Sequence, residues 1–249
     1  MRNLKVFMSY NGTRYNGYQS QPCGNTVQDV VESRASRLLN QRVSINGCSR
    51  TDAGVHAKQF CFNFHMDETV STIGCDAFVK AMNAMLPPDI AILSCEEVSE
   101  DFHARFDTRG KEYLYIINNG KTRDVFSENL ALHYPYPLDV ERMNKAAELL
   151  VGTHDFAAFC KAEAKQHLKS TVRTVHDFHI EREGENVKFY ISGDGFLHNM
   201  VRILVGTMIY VNENKRSEQD IIRSLETGER EAAGKTLPPC GLYLNKVFY

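Results

Sequence analysis

Apolar and polar residues alternate along this chain in two periods, and the switches between them mark out its elements. Leu4, Val6 and Met8 alternate with Lys5, Phe7 and Ser9, which predicts a strand ending at Asn11-Gly12. A polar loop then runs to about Asn25. Thr26 is placed to cap a helix whose apolar residues Val27, Val30, Val31, Leu38 and Leu39 share one broad face, with Gln28 and Asp29 in the first turn. That helix is expected to stop near Asn40. Val43 to Cys48 and Gln59 to His65 read as two further strands, so the polar segment Ser49 to His56 becomes a loop between them. Loops held by a rigid scaffold are where reactive groups are usually presented.

A helix near Cys75 to Met85 is closed by Pro87-Pro88, and a strand follows around Ile90 to Val98. Arg105 to Asn118 is strand-like, with Tyr113 and Tyr115 on one face and Leu114 and Ile116 on the other. The second half repeats the theme: a helix from about Asp139 to Val151 ended by Gly152, then a hairpin turning near Gly184. A long apolar helix spans Phe196 to about Val211. Ser217-Glu218-Gln219-Asp220 resembles a capping box and opens a short helix ended by Gly228, and Leu242 to Phe248 alternates as a last strand. Strands and helices in mixed order in both halves predict an α+β protein with a mixed sheet and a cleft between its halves.

Composition narrows the function classes. The chain has 249 residues, 43% of them hydrophobic and 24% charged, which suits a globular protein with a sizeable core. The formal net charge of −2 excludes a polycation that grips nucleic acid by bulk charge, so any RNA site has to be a local basic patch. No apolar stretch reaches the roughly 18 residues of a membrane span, and no signal-peptide core precedes Leu4, so the expected location is the cytosol, with no membrane partner. Seven scattered cysteines, without a C-x-x-C pair or histidines at finger spacing, read as reduced thiols rather than as metal ligands.

The densest chemical signal is Ser49-Arg50-Thr51-Asp52-Ala53-Gly54-Val55-His56-Ala57, an acid in a tight loop beside an arginine and ahead of a glycine. A bare Thr-Asp-x-Gly is most often a turn whose Asp bonds its own backbone. The longer string resembles the signature of the tRNA pseudouridine synthase A family. Further matches follow along nearly the whole chain: Tyr10 to Gln21 with the N-terminal loop, Asp101 to Phe106 with the entry to the central strand, and Gly110 to Ile117 with that strand. Phe196 to Gly206 is similar to the late helix and Gly241 to Leu244 to the closing strand. The departures are Asn11 where Asp is common, Tyr18 where Trp is common, Ser49 for Gly, a missing Gly between Ala57 and Gln59, and Lys111-Glu112 in place of a more basic pair.

The resemblance implies a pseudouridine synthase fold, with a mixed, mostly antiparallel sheet from two α/β halves around a central active-site cleft. Residues 1–104 would form the half carrying the Asp52 loop, and 105–249 the half carrying the Tyr113 strand and the Arg202 helix. It implies an isomerase of tRNA processing that converts uridine to pseudouridine at positions 38 to 40 of the anticodon arm. The protein would bind tRNA as a homodimer and need no cofactor. Asp52 would be the catalytic nucleophile or base, Tyr113 would stack on the substrate, and Arg50 would enter the space left by the flipped base or hold its backbone.

Arg202 draws attention without the family. It lies in a helix apolar on nearly all sides, and a buried arginine cannot shed its charge. It needs either an acidic partner or a route for its head to reach water. The resemblance makes Arg202 the second catalytic residue, paired with Asp52 so that the carboxylate stays ionised. Lys161, Lys165, Lys169 and Arg173 recur every four residues, with His167 among them and Glu163 opposing, a basic stripe for phosphates if the segment is helical. Arg14 is a further phosphate candidate, whereas His56 and His198 read as structural.

Three rivals remain at this stage. A non-catalytic RNA-binding paralogue would keep the fold without the reaction, and a synthase could act on a different RNA target. A hydrolase built on His154 and Asp155 is disfavoured, because adjacent residues rarely face one pocket and no nucleophile or metal motif accompanies them.

Overall fold

The structure, a computed structural model, describes residues 1–161 and 168–249. It divides into two compact units, residues 1–109 with 243–249, and residues 110–242.

The first unit is built on strand β1 (Arg2–Tyr10), whose Leu4, Val6 and Met8 are fully buried as their alternation requires. β1 pairs antiparallel with β3 (His56–Met66) on one side and with β4 (Ile90–Val98) on the other. β2 (Asn46–Gly47) pairs antiparallel with β3. β10 (Leu242–Phe248) joins β3 in parallel, with Tyr243 opposite His56 and Leu244 opposite Ala57. Helix α1 (Val27–Leu39) starts where expected: the Thr26 hydroxyl accepts from the Asp29 N–H, and Asn40 ends the helix in the left-handed region at φ 52°. Helix α2 (Cys75–Met85) matches its predicted span and buries Phe78 and Met82.

In the second unit, β5 (Gly110–Asn118), β9 (Asn186–Gly193), β8 (Val172–Glu183) and β7 (Gly152–Asp155) lie side by side in that order, all antiparallel, and β6 (Leu132–His133) joins β5 in parallel. Helix α3 (Val140–Ala147) is capped by the Asp139 carboxylate, which accepts from the Arg142 N–H at 3.0 Å. Helix α4 (Met200–Asn212) is buried on nearly all sides, and α5 (Glu218–Thr227) opens with a complete capping box between Ser217 and Asp220. Strands and helices in mixed order, with mostly antiparallel pairing, make this the expected α+β fold. Among the described residues no helix is long and apolar enough to cross a membrane.

Five boundaries differ from the pattern reading. β3 begins at His56 rather than Gln59, so the loop before it is shorter than expected. The segment 43–48 contributes only the two residues of β2, although Val43, Ile45 and Cys48 are buried. The helix expected from Asp139 to Val151 tightens into a 3-10 turn at Glu148–Leu150. α4 begins at Met200 rather than Phe196, because Asn199 sits in the left-handed region at φ 65° and interrupts the helical backbone there. The strand read from Arg105 begins only at Gly110, because residues 103–108 form turns. The Phe106 and Asp107 N–H groups donate to the His103 carbonyl and the Thr108 hydroxyl to the Ala104 carbonyl, and buried polar side chains hold the segment just before them.

Asn3 and Asn63 are 1% and 0% exposed. The Asn63 amide donates to Asn3 Oδ1 at 2.9 Å, and its carbonyl accepts from the Ala104 N–H at 2.9 Å. Asn3 Nδ2 in turn donates to the carbonyls of Ser99 at 3.0 Å and Phe102 at 2.9 Å. The backbone of residues 99–104 thus finds its partners in two side chains instead of a neighbouring strand, and it turns. Replacing Asn63 by leucine, similar in volume, orphans the Ala104 N–H and the Asn3 carbonyl. Urea unfolding of Asn63→Leu is expected to show a loss of about 2–3 kcal/mol; a loss below about 0.5 kcal/mol would mean the network does not hold this turn.

Candidate active site

Asp52 lies in the loop that enters β3, and its position is set by backbone contacts made in both directions. Downstream, the Val55 N–H donates to the Asp52 carbonyl at 3.1 Å, closing a tight turn with Gly54 at φ 78°. A positive φ there costs a residue with a Cβ about 1–2 kcal/mol, which explains the glycine two residues after the acid. Upstream, the Thr51 carbonyl accepts from the Tyr18 N–H at 3.1 Å, and the Thr51 hydroxyl is hydrogen-bonded to the Tyr10 phenol at 2.8 Å. Asp52 is half-buried between these anchors, and Arg50 is exposed.

The N-terminal loop packs against the same turn. Gly12 opens a 3-10 turn (Gly12–Arg14), and a Cβ on it would stand 1.9 Å from the Val55 carbonyl oxygen, so only glycine allows the two backbones to meet. Its N–H donates to Nδ1 of His56 at 3.1 Å. His56 is 1% exposed, and its ring stacks on Tyr243 with centroids 4.6 Å apart and planes 27° from parallel. Arg14, the phosphate candidate of this loop, is largely exposed and lies 3.6 Å from Asp89, whose other carboxylate oxygen accepts from the Tyr15 phenol at 2.6 Å. Tyr18, where the family commonly has Trp, packs its ring on Phe60 at 4.2 Å. Its hydroxyl is buried without a hydrogen-bond partner among the described residues, and burial raises its pKa well above the ordinary phenol value.

The second unit carries Tyr113 and Arg202. Tyr113 is 8% exposed on β5 and meets the Phe196 ring edge-on, centroids 5.2 Å apart at 82°. Tyr115, one strand repeat further, is fully buried, and burial keeps its phenol protonated to donate to the Pro238 carbonyl at 2.8 Å. Arg202 sits half-buried in the first turn of α4. Its Nε donates to the Leu237 carbonyl at 2.6 Å and its Nη1 to Asn199 Oδ1 at 2.8 Å. Leu237 also donates its own N–H to the Arg202 carbonyl at 3.3 Å, so a short reciprocal strap fixes the direction of the guanidinium. Pattern reading singled out Arg202 as a costly cation but had no means of finding Leu237, because that contact is with a backbone carbonyl 35 residues away.

The basic stripe is only partly traceable. Lys165, His167 and Glu163 lie outside the described residues. Arg173 belongs to β8, opposite His154, and its Nη1 donates to the carbonyls of Ser170 and Val172 at 3.2 and 2.5 Å, so it does not continue a helical face. The His154–Asp155 pair is occupied structurally: Asp155 accepts from the Ala157 N–H at 2.9 Å and the Thr171 hydroxyl at 2.5 Å, and His154 Nε2 meets the Val151 carbonyl at 3.0 Å. His198 is exposed. All seven cysteines are free thiols, and the described residues contain no group of three His, Cys, Asp or Glu able to hold a metal ion.

A profile of the tRNA pseudouridine synthase family matches residues 6–107 and 146–249. Similar proteins include tRNA pseudouridine synthase A 2 of Clostridium perfringens, 45% identical over 249 residues with 100% of both chains covered. tRNA pseudouridine synthase A of Acetivibrio thermocellus is 44% identical, again with 100% of both chains covered. The protein of that name from Geobacillus is 42% identical over 100% of this chain and 98% of its own.

The Tyr18 hydroxyl offers a test of how tightly this loop is packed. Tyr18→Phe removes an orphaned buried oxygen and leaves the ring stacked on Phe60. Its thermal unfolding is expected at or above the unsubstituted protein's, with a gain of up to about 1 kcal/mol; a clear loss would reveal a partner for the hydroxyl.

Proposed function

Because the chain belongs to the tRNA pseudouridine synthase family and isomerises uridine to pseudouridine in tRNA, we propose that Asp52 is the carboxylate that starts this reaction. The observation that carries this reading is the bracing of the Asp52 turn from both sides, on a loop whose sequence resembles the family signature. A group that attacks must already stand in place, because orientation supplies a large share of the barrier reduction.

The reaction breaks the bond between C1′ and uracil N1, turns the ring, joins C1′ to C5, releases the C5 hydrogen as a proton and returns a proton to N1. Atoms and electrons balance without a redox equivalent or a group donor. A carboxylate can serve by bonding to the sugar, to be displaced when C5 attacks, or by removing a sugar proton. In either role it has to be ionised, and we assign Arg202 the cationic neighbour that favours the charged form. The strap from Leu237 and Asn199 supports this, since it orients a guanidinium that the helix would otherwise leave to several rotamers.

A uridine stacked in a stem is out of reach, so the substrate base has to leave the stack. Tyr113 is the proposed platform for the extruded base, consistent with its remaining exposure and its edge contact with Phe196. Arg50, exposed two residues before Asp52, would fill the vacated space or hold the backbone. Action at positions 38 to 40 of the anticodon arm, a homodimeric state and a cytosolic location extend the proposal on the family resemblance. Neighbouring targets served by one pocket imply reading of tRNA shape and backbone rather than base sequence.

Release of tritium from tRNA labelled at uridine C5 measures the reaction directly. Asp52→Asn is expected to lower that release by about 10²-fold or more, and unchanged release would refute the assignment. Tyr113→Leu is expected to lose about 1–3 kcal/mol of transition-state binding, while Tyr113→Phe, which keeps the aromatic face, stays near the unsubstituted rate. Mapping pseudouridine in the product tRNA checks the target positions: modification outside 38 to 40 would reassign the substrate without touching the chemistry.

A further inference from the structure

His56 stands four residues after Asp52 and is 1% exposed, yet the reaction as described gives it nothing to do. Its surroundings are specific. The Gly12 N–H is the first donor of a three-residue 3-10 turn, one of the groups such a turn cannot satisfy internally. It donates to His56 Nδ1 at 3.1 Å. An imidazolium has no acceptor, so this bond requires a neutral ring with its proton on Nε2. The ring's face is fixed independently: Tyr243 lies opposite His56 in the β3–β10 ladder and stacks on it at 4.6 Å, with Lys58 Nζ 5.5 Å from the centre of the tyrosine ring.

These contacts add a clasp on the downstream side of the Asp52 turn. Thr51 holds the upstream leg through Tyr10 and Tyr18. The downstream leg, Val55 and His56, is held by the passage of Gly12 against the Val55 carbonyl and by the bond to the imidazole. Without the acceptor, the Gly12 N–H would be buried and unsatisfied, and the N-terminal loop would have to move away from the turn to reach water.

We propose that His56 is a positioning residue for Asp52: its neutral imidazole, accepting from Gly12 and stacked on Tyr243, locks the downstream leg of the Asp52 turn to the N-terminal loop. The inference rests on the reading of Asp52 as the reacting carboxylate. It touches no substrate atom. Its effect is on the fraction of molecules whose carboxylate stands in line, and therefore on kcat rather than on capture of tRNA.

Asparagine and glutamine separate positioning from simple packing. The side-chain oxygen of Asn reaches the place of Nδ1, whereas the amide of Gln reaches toward Nε2. His56→Asn is therefore expected to stay within about fivefold of the unsubstituted kcat, and His56→Gln to lose about 10- to 100-fold, both with KM for tRNA nearly unchanged. Nitrogen NMR of labelled histidine in the unsubstituted protein should show an unprotonated Nδ1 at neutral pH, a readout that needs no variant to fold. Equal kcat for the two variants, or a protonated Nδ1, would overturn the proposal. Asp52→Asn measured alongside distinguishes the two levels. If it retains full activity, the reading of Asp52 falls and this inference with it; if it is inactive while His56→Gln keeps the unsubstituted kcat, only the inference falls.

Discussion

The site depends on one contact between two stretches of backbone. The N-terminal loop passes so close to the Asp52 turn that the Val55 carbonyl occupies the space where Gly12 would carry a Cβ. Around this contact the polar groups of both segments find one another: Tyr18 N–H with the Thr51 carbonyl, the Tyr10 phenol with the Thr51 hydroxyl, Gly12 N–H with the His56 ring. A turn exposed on its own would fray on a fast timescale. Clasped to a second loop that is itself anchored to β1 and α1, it inherits the rigidity of the sheet beneath it.

The second unit meets a related demand with a different device. Arg202 is carried by a helix that the core surrounds, and its desolvation is offset partly by two hydrogen bonds at its base, to Leu237 and Asn199. The left-handed conformation of Asn199 starts the helix late and turns its carboxamide toward the arginine. The helix start and the strap thus belong to one construction. The roles proposed for Asp52 and Arg202 ask that each group be held before substrate arrives, and a left-handed residue stands beside each, Gly54 next to the acid and Asn199 next to the arginine.

Much of this was legible along the chain, for local reasons. α1 and α2 begin and end where their caps and prolines indicate, because a cap acts within three or four residues. β1 shows its buried face directly in the alternation of Leu4, Val6 and Met8. Asp52, Tyr113 and Arg202 were each singled out from a motif or from the cost of a buried charge. What pattern could not supply were partners distant in sequence. Asn3 and Asn63 look like ordinary polar residues in strands until their amides are seen to capture the carbonyls of Ser99, Glu100 and Phe102. His56 read as structural hydrogen bonding, and its partner Gly12 lies 44 residues away.

By itself the sequence determined which segments become helices and strands, that an acid stands on a glycine-closed turn, and that one arginine in an apolar helix must be provided for. These are properties of residues and their near neighbours, where propensity, capping and the cost of desolvation act directly. Only the tertiary structure decided what holds the acid and the arginine: the carbonyl of Leu237, the phenol of Tyr10, the ring of Tyr243 against His56. Hydrogen bonds and close backbone approach depend on distances of a few tenths of an ångström between segments far apart in the chain, and no one-dimensional pattern encodes such distances.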